Sequence, residues 1–398
     1  MSESSPTGSY DFDLPAELIA QDPPERRGDS RLLLVEPGGQ VAGERVFRQL
    51  PEVLRAGDLL VLNESRVLPA RLLTVREDTG GRVEILLVRP VEADNTWLAL
   101  ARPGRRLRAG TRLVLGEGSV PGAPVLEISE RMDQGQVLVT AGRDPGLLAE
   151  QWGVMPLPPY IKRDHEDLVS ERGRRDRDRY QTVFAVSDDQ GAGSVAAPTA
   201  GLHFSDTILG NLAEAGVETA RVSLHVGPGT FREPTAEQFA ARRLHREYFR
   251  LPVDTASRIS RTRSNGGRVI AVGTTSLRVL ETVSRLGLPD DGPEKLVFGT
   301  GTDESLPEFA GEAVRRREHW EVTGQTRLFL RPPDRVSSVD GLLTNFHLPG
   351  SSLLMLVAAL AGVQTWPMVY AHAVAERMRF YSYGDCMLIL PGVSGLSG

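Results

Sequence analysis

The strongest constraint on the fold is a change of hydrophobic pattern along the chain. Between residues 70 and 142, six short apolar runs follow one another without a helical period, separated by Gly, Pro, Asp and Asn. Several short strands at this spacing are typical of a small barrel or sandwich. Beyond residue 153, strand-like runs alternate with helical ones, which predicts a mostly parallel sheet covered by helices.

The economical architecture is an α/β domain built from both ends of the chain, residues 1–64 and 151–398. A small barrel-like all-β domain is inserted at residues 65–150. A length of 398 residues agrees with two or three domains. Two apolar runs between Leu32 and Val61 predict buried strands. The stretch from Gly287 to Gly324 is rich in Pro, Gly and charge, and we expect it to be an exposed excursion.

Composition narrows the class of protein. Cys386 is the only cysteine, which excludes an internal disulfide and a multi-thiolate metal site and favours the reducing cytoplasm. The N-terminus has no basic segment followed by an apolar one, so no secretory signal is expected. The apolar run from Leu353 to Val363 is about half of the roughly 20 residues that a membrane crossing needs. It predicts a buried helix in a protein without a membrane span.

The formal net charge of −6 does not by itself favour a nucleic-acid partner. A local basic stripe on an acidic body can nevertheless bind RNA. Two stretches qualify, from Arg102 to Arg112 and from Arg172 to Arg179. Taken alone, each is more typical of a solvated surface.

Ligands on open α/β sheets bind beyond the carboxyl ends of the strands. Four segments at predicted strand ends join glycine or proline to hydroxyl, imidazole or amide groups. Backbone N–H groups there can hold an anion, and histidine accepts protons near neutral pH. A single loop histidine is more often structural, and the pattern alone leaves both interpretations open. The segments contain Pro198, Thr199, Gly201 and His203; His225, Gly227 and Gly229; Thr274, Thr275 and Ser276; Asn345 and His347.

The common catalytic signatures are missing from the sequence. It has no GxxxxGK[ST] phosphate loop, no proper GxGxxG, no GxSxG elbow and no HExxH. A kinase, a common dehydrogenase, a lipase-type hydrolase and a zinc protease are therefore disfavoured. The residues alone predict an α/β enzyme with a loop-built site and no metal.

The same segments carry a resemblance to a known family. Matching stretches run in family order from Tyr10 to Leu390, and the most specific are SVAAPTAGLHF, LHVGPGTF, RVIAVGTTSLRVLE and VDGLLTNFHLPGSS. On these residues the chain resembles the S-adenosylmethionine:tRNA ribosyltransferase-isomerase family of queuosine biosynthesis. The resemblance implies an α/β domain with an inserted β-barrel, in agreement with the pattern described above.

The resemblance also implies the reaction. The donor is S-adenosylmethionine, a co-substrate used for its ribosyl group, and no metal or other cofactor is implied. The acceptor is 7-aminomethyl-7-deazaguanine at the wobble position of tRNA with a GUN anticodon. The products are epoxyqueuosine-tRNA, adenine and methionine. The partners would be tRNA and S-adenosylmethionine in the cytoplasm.

This chemistry needs a base for the C5′–H that the sulfonium acidifies, together with anion-binding turns and a dry pocket. The expected base is His203 or His225, and Asn345 and His347 would orient the donor. Glycine permits close backbone approach at residues 227 and 229. The other residues expected to bind substrate are Asn63, Arg66, Pro198, Thr199, Gly201, Thr274, Thr275 and Ser276.

Three departures from the family pattern bear on the acceptor. Glu64 stands where asparagine is common, Arg242 stands where histidine is frequent, and the turn from Arg331 to Asp334 is altered. They leave open a related enzyme that keeps the ribosyl chemistry but uses another acceptor. A non-catalytic RNA-binding protein of the same fold is a second alternative, which the intact histidine and asparagine segments disfavour.

Overall fold

The computed structural model describes residues 8–91, 93–105, 107–116, 122–186, 194–227, 229, 233–288, 294–299, 309–316 and 318–396. The chain divides into two compact units. The first comprises Met1–Glu64, Thr182–Phe184 and Pro198–Gly398, and the second comprises Ser65–Gln181 and Ala185–Ala197. Each unit has its own buried apolar cluster.

The strands and helices are numbered in chain order over the described residues. The strands are β1 Arg31–Val35, β2 Val41–Val46, β3 Leu59–Asn63, β4 Arg71–Arg76, β5 Arg82–Pro90, β6 Thr96–Arg102, β7 Arg112–Leu115, β8 Val125–Arg131, β9 Gln136–Ala141, β10 Glu218–Leu224, β11 Arg243–Leu251, β12 Val269–Val272, β13 Lys295–Phe298, β14 Phe309–Arg316, β15 His319–Leu328, β16 Gly341–Asn345 and β17 Cys386–Ile389. The α-helices are α1 Leu50–Val53, α2 Pro145–Trp152, α3 His165–Val169, α4 Glu171–Arg179, α5 Asp206–Glu214, α6 Ala236–Ala241, α7 Val253–Ser264, α8 Gly273–Arg285, α9 Ser352–Ala361 and α10 Thr365–Ala375.

The first unit is built on an eleven-stranded sheet in the order β13-β14-β15-β11-β10-β3-β12-β16-β17-β1-β2. The four adjacent strands β10, β3, β12 and β16 are parallel, and so is the β17–β1 pair. The other neighbours are antiparallel. The sheet is therefore mixed, and the predicted parallel character is limited to its middle and to one pair.

The segment expected to be an exposed excursion instead contributes strands to the sheet. β14 pairs with β15, and β15 pairs with β11 along its length. Ala313 and Val322 are directly paired across β14 and β15, and both are buried. The prediction was wrong for these strands because polar residues alternate with the apolar ones that face the core, which lowers the mean hydropathy of a half-buried strand.

The second unit contains a closed barrel in the order β4-β5-β6-β9-β8-β7. All six predicted apolar runs form its strands, which confirms the predicted small barrel. Alternate residues of β5 point inward, among them Val83, Ile85 and Leu87. Period-2 alternation of this kind packs one face of each strand against the barrel interior.

The second unit extends beyond the predicted boundary at residue 150. After α2, Val154 forms an antiparallel bridge with Arg71, and Ser194 forms a parallel bridge with Val67. These backbone contacts return the chain to the first residues of the same unit. The helical pattern of this stretch is similar to that of the α/β unit, and only the long-range pairing places it in the second unit.

Local signals explain where several helices begin. Ser205 accepts the backbone N–H of Ile208 and caps α5, a role that serine commonly has at the start of a helix. Ser351 caps the apolar helix α9 in the same way, and that helix is largely buried, which confirms the prediction for this run. Gly273 has φ +84°, a left-handed conformation that lets the chain turn directly from β12 into α8.

Within the described residues, no single helix has both the length and the apolarity needed to span a membrane. The consecutive helices α9 and α10 meet these criteria only as a pair, and the chain bends by 115° between them.

Candidate active site

The parallel strands bring three of the four predicted segments, together with Asn63, to one edge of the sheet, here called the carboxyl edge. Asn63 ends β3, His225 directly follows β10, Gly273 directly follows β12, and Asn345 ends β16. Because these strands are parallel neighbours, their carboxyl ends lie side by side. Strands β10 and β16 are three strand spacings apart, or roughly 14 Å. At this separation, the side chains near β16 and those near β10 form two separate polar groups, here called the first and the second centre.

The first centre joins His203 to Asn345. Both side chains are buried, with 4% and 1% exposure. The Asn345 amide Nδ2 lies 3.0 Å from His203 Nε2 and donates to the Tyr381 carbonyl at 3.0 Å. His203 Nδ1 lies 3.0 Å from Ser30 Oγ, and the ring stacks on Phe47 at 5.1 Å. Because Nε2 accepts the amide N–H, Nδ1 carries the proton and donates to Ser30.

Burial lowers the pKa of His203 to about 3, and the nearby Arg379 and Arg27 guanidiniums lower it further. The hydrogen bond from Asn345 opposes this shift but does not cancel it. The imidazole is therefore neutral at pH 7, and both of its nitrogens already have partners. His203 is poorly suited to accept a proton from substrate.

A short 3-10 helix, Thr199–His203, carries this histidine. The predicted residues Thr199 and Gly201 lie in the helix, and Pro198 is its N-cap. Gly201 N–H donates to the Pro198 carbonyl at 2.8 Å. A Cβ atom on Gly201 would lie 2.8 Å from Thr182 Cγ2 and 2.9 Å from Phe184 Cζ. Glycine is required by this close packing, which sets the position of His203.

His347 does not join the same centre. Its Nε2 lies 2.9 Å from Thr344 Oγ1, and its backbone N–H donates to the Tyr370 hydroxyl at 3.1 Å. Thr344 and Asn345 are consecutive in β16, so their side chains point to opposite faces of the sheet. His347 and His203 thus contact side chains on opposite faces of the sheet, and the structure does not bring His347 to the His203–Asn345 pair. Burial lowers the pKa of His347 to about 3.

A His203→Gln variant should have a flatter pH dependence of stability. The folded pKa of about 3 lies below the ordinary value of 6.5, so only the unfolded chain binds the proton between these values. The contribution of the neutral His203 to the free energy of unfolding is fully present above pH 6.5 and is lost as the pH falls toward 3. Between pH 7 and pH 5 the loss is about 2 kcal/mol for this histidine, measured by urea unfolding at both pH values.

The control for that experiment is His372→Gln on α10, for which the wild-type pH dependence should be retained. A His203→Gln protein that loses as much stability as wild type between pH 7 and pH 5 would contradict a buried neutral imidazole.

The second centre joins His245, Glu247 and Arg278. Glu247 and Arg278 form an ion pair with side-chain exposures of 1% and 4%. His245 Nε2 lies 3.1 Å from Glu247 Oε1, and the Gly227 N–H donates to the same oxygen at 3.3 Å. A Cβ atom on Gly229 would lie only 2.9 Å from His245 Nδ1. The predicted close approach at Gly227 and Gly229 is therefore an approach to this imidazole.

An irregularity in β11 places the histidine and the carboxylate together. Between Arg243 and Glu247 the strand advances four residues, while its partner β15 advances only two, from Leu328 to Thr326. Extra residues in one strand bend it and redirect its side chains, a device that is common near active sites. Here they bring His245 to the Gly227 turn.

The sequence pattern does not predict this centre, because it points to histidines at strand-to-helix switches and His245 lies inside strand β11. The available signal was the spacing of two residues between His245 and Glu247. In a strand, such residues share a face, and a carboxylate beside an imidazole is a familiar acid–base pair.

Three further predicted residues lie together at the start of α8. Thr274, Thr275 and Ser276 lie in the first turn of α8 and are buried. Ser276 Oγ donates to the Val272 carbonyl at 2.8 Å, whereas Thr275 Oγ1 is buried without a hydrogen-bond partner among the described atoms. The first turn of the helix thus offers a hydroxyl that can bind a ligand.

Asn63 and His225 connect β3, β10 and β11. Asn63 Oδ1 accepts the Leu224 N–H at 3.1 Å, and its Nδ2 donates to the Leu224 carbonyl at 3.0 Å. The His225 N–H donates to the Tyr248 carbonyl at 2.9 Å, and the two rings meet edge to face at 5.7 Å. Asn63 therefore holds the backbone that leads to His225.

Arg66 belongs to the second unit. It forms an ion pair with Glu150, whose Oε2 accepts from Arg66 Nη2 at 3.0 Å.

Two of the three family departures form a single contact. Arg242 Nη2 donates to Asp334 Oδ1 at 2.6 Å, and Asp334 Oδ2 accepts the Arg331 N–H at 3.2 Å. The altered turn and the altered residue thus compensate each other on an exposed surface. Glu64 differs, because burial raises its pKa while Arg221 and Arg250 partly offset the shift.

Within the described residues, no group of three or more His, Cys, Asp or Glu side chains is placed to hold a metal ion. Cys386 is a buried free cysteine, and burial raises the pKa of its thiol well above the ordinary value. The thiol is therefore protonated and unreactive.

The fold and the carboxyl-edge centres define an α/β protein of enzyme type joined to a small β-barrel. A model of the family described as "Queuosine biosynthesis protein" matches residues 7–389. The chain belongs to this family.

Relatives with the name S-adenosylmethionine:tRNA ribosyltransferase-isomerase include those of Symbiobacterium thermophilum and Gloeobacter violaceus. The first is 44% identical over 96% of this chain and 98% of the relative. The second is also 44% identical, over 97% of this chain and 96% of the relative. A crystal structure of S-adenosylmethionine tRNA ribosyltransferase from Thermotoga maritima is 32% identical and covers 96% of this chain and 100% of that chain, with a TM-score of 0.49.

Proposed function

We propose that the chain is an S-adenosylmethionine:tRNA ribosyltransferase-isomerase. It transfers the ribosyl group of S-adenosylmethionine to 7-aminomethyl-7-deazaguanine at the wobble position of tRNA with a GUN anticodon, and isomerises it to give epoxyqueuosine-tRNA. Adenine and methionine are released. Membership of the queuosine biosynthesis family and the relatives' names support the reaction. The single cysteine favours the cytoplasm as its location.

The observation that carries the chemistry is the contact between His245 and the buried Glu247 at the Gly227 turn. The sulfonium of the donor acidifies the neighbouring C5′–H, so the reaction begins with the loss of a proton to a base. A histidine oriented by a carboxylate is an effective base near neutral pH. We assign this role to His245, where the sequence favoured His203 or His225.

The orientation of His245 follows from its partners. Nε2–H donates to Glu247 Oε1, so Nδ1 is the nitrogen that accepts the proton from C5′. Glycine at position 229 keeps side-chain atoms away from that nitrogen. As the imidazolium forms, Glu247 stabilises its charge, while Arg278 keeps the carboxylate ionised in its buried surroundings. His225 lies close along the chain and remains a candidate contact of the ribosyl group.

The remaining groups bind and orient the donor. The Thr275 hydroxyl and the N-terminal turn of α8 suit a polar or anionic end, such as the carboxylate of the methionine part. His203 and Asn345 form a neutral, rigid support for the carboxyl edge. No metal is needed in this scheme, because the positive sulfonium itself activates the sugar.

The proposed function is tested by mass spectrometry of wobble-position nucleosides. Purified protein is incubated with S-adenosylmethionine and an anticodon stem-loop that contains 7-aminomethyl-7-deazaguanine. Epoxyqueuosine and an equal amount of adenine are expected. The free base and an unmodified stem-loop are the matched controls and should give neither product. Adenine release with another acceptor only would replace the proposed substrate, and no release with any tRNA would refute the enzyme.

A further inference from the structure

A cavity of about 270 Å³ opens in the second unit and is lined mainly by barrel strands. Its polar lining is predominantly basic. Its apolar lining includes Val75, Val83 and Leu168. The basic groups around it are Arg71, Arg82, Arg102, Arg163 and His165.

Two of these arginines are already neutralised. Arg71 pairs with Glu84 at 2.6 Å. Arg163 makes two contacts to the buried Asp176, at 2.6 and 3.1 Å. Arg71 Nε is nevertheless buried without a hydrogen-bond partner among the described atoms. A buried N–H donor of a guanidinium that lacks an acceptor costs free energy unless a ligand or water supplies one.

The other two arginines keep their full charge. Arg82 and Arg102 are exposed, and neither forms an ion pair with any residue that the structure describes. Exposed Arg105 and Arg108 continue the positive charge beyond Arg102 along the chain, also without an ion pair in the described regions. On a chain with a formal net charge of −6, such a local surplus attracts an anion.

We infer that this cavity binds the phosphodiester backbone of the tRNA, a role that rests on the proposed function. Guanidinium groups form paired hydrogen bonds with phosphate oxygens. The apolar lining suits the face of the adjoining ribose, and Arg105 and Arg108 would contact the next phosphates. The contacts read no bases, so the cavity positions the RNA and increases affinity without selecting its sequence.

The test compares two double variants of the whole protein. Arg82→Ser with Arg102→Ser removes the two uncompensated charges of the cavity. Arg131→Ser with Arg143→Ser removes two exposed charges of the same unit that do not line the cavity. The cavity variant should weaken binding of the acceptor tRNA by roughly 10- to 100-fold and reduce the slope of log affinity against log salt by roughly one to two. The control should change affinity less than about threefold.

Turnover measurements separate this inference from the proposed function. At saturating tRNA the cavity variant should release adenine at the wild-type rate, with only KM for tRNA raised. A wild-type protein that is inactive with every tRNA refutes the function, whereas an active wild type with equal tRNA affinity in both variants refutes the cavity. An Arg82→Lys with Arg102→Lys variant keeps the charge but not the paired hydrogen bonds, and should bind tRNA more tightly than the serine variant and less tightly than wild type. This intermediate affinity excludes misfolding as the cause of the loss.

Inorganic phosphate distinguishes RNA from a small anion. At constant ionic strength, millimolar phosphate should compete weakly with tRNA for the wild type and lose this effect in the cavity variant. If phosphate raises the unfolding temperature through the cavity arginines while tRNA affinity is the same in both variants, the cavity binds a free anion and the inference is overturned.

Discussion

His245→Ala should reduce kcat/KM for epoxyqueuosine formation by about 10²- to 10⁴-fold, the usual contribution of a general base. In the proposed mechanism Nδ1 accepts the proton, and a hydrogen bond of 3.1 Å from Nε2 to Glu247 orients the ring. Adenine release from S-adenosylmethionine with acceptor tRNA measures the loss. His372→Ala on α10 is the matched control and should retain wild-type activity.

Further variants at the same centre test the mechanism and not merely the fold. Glu247→Gln should retain the hydrogen bond but lose the charge that stabilises the imidazolium, giving a smaller loss of activity. Full activity of His245→Ala, together with a large loss in His225→Ala, would transfer the role of base to His225.

Arg278→Met should destabilise the first unit by about 3–5 kcal/mol. The substitution leaves Glu247 buried and without its counter-charge, and one ion left alone in the interior costs more than the pair contributes. The Glu247–Arg278 pair is almost completely buried, so solvent does not screen this loss. Urea unfolding of the variant, at a pH where the carboxylate is ionised, measures the change in the free energy of unfolding.

A double variant and an exposed pair serve as controls for Arg278→Met. Adding Glu247→Gln to Arg278→Met removes the unpaired buried charge and should recover a large part of the lost stability. The double variant should then lose less stability than the sum of the two single variants. Arg258→Met breaks the exposed pairs with Asp254 and Glu218 and should cost less than about 1 kcal/mol. Equal losses for Arg258→Met and Arg278→Met would show that burial does not control the energy.

The two centres differ in what they can do because their environments differ. His203 has lost its basicity through burial, whereas His245 is partly exposed and has a carboxylate beside it. A structural imidazole, His203, and a candidate base, His245, can therefore lie at the same edge of one sheet. Burial and the neighbouring charged groups distinguish the two imidazoles.

Local pattern was sufficient for much of the architecture. Period-2 alternation and turn residues identified the six barrel strands, and Ser205 marked the beginning of α5, because these signals act between neighbours in the chain. The motifs around His203, Gly227, Thr275 and Asn345 likewise identified the family without coordinates. These properties depend on residues close in sequence.

Only the tertiary structure shows which side chains form hydrogen bonds and ion pairs with one another. It separated His347 from His203, joined Arg242 to Asp334, and brought His245, Glu247 and Arg278 together across β11 and α8. Hydrogen bonding, ion pairing and burial depend on distances between residues that are far apart in the chain, and a one-dimensional pattern contains no such distances. The sequence thus determined which elements and which family were present, and the packing of the sheet determined which imidazole lies beside a carboxylate.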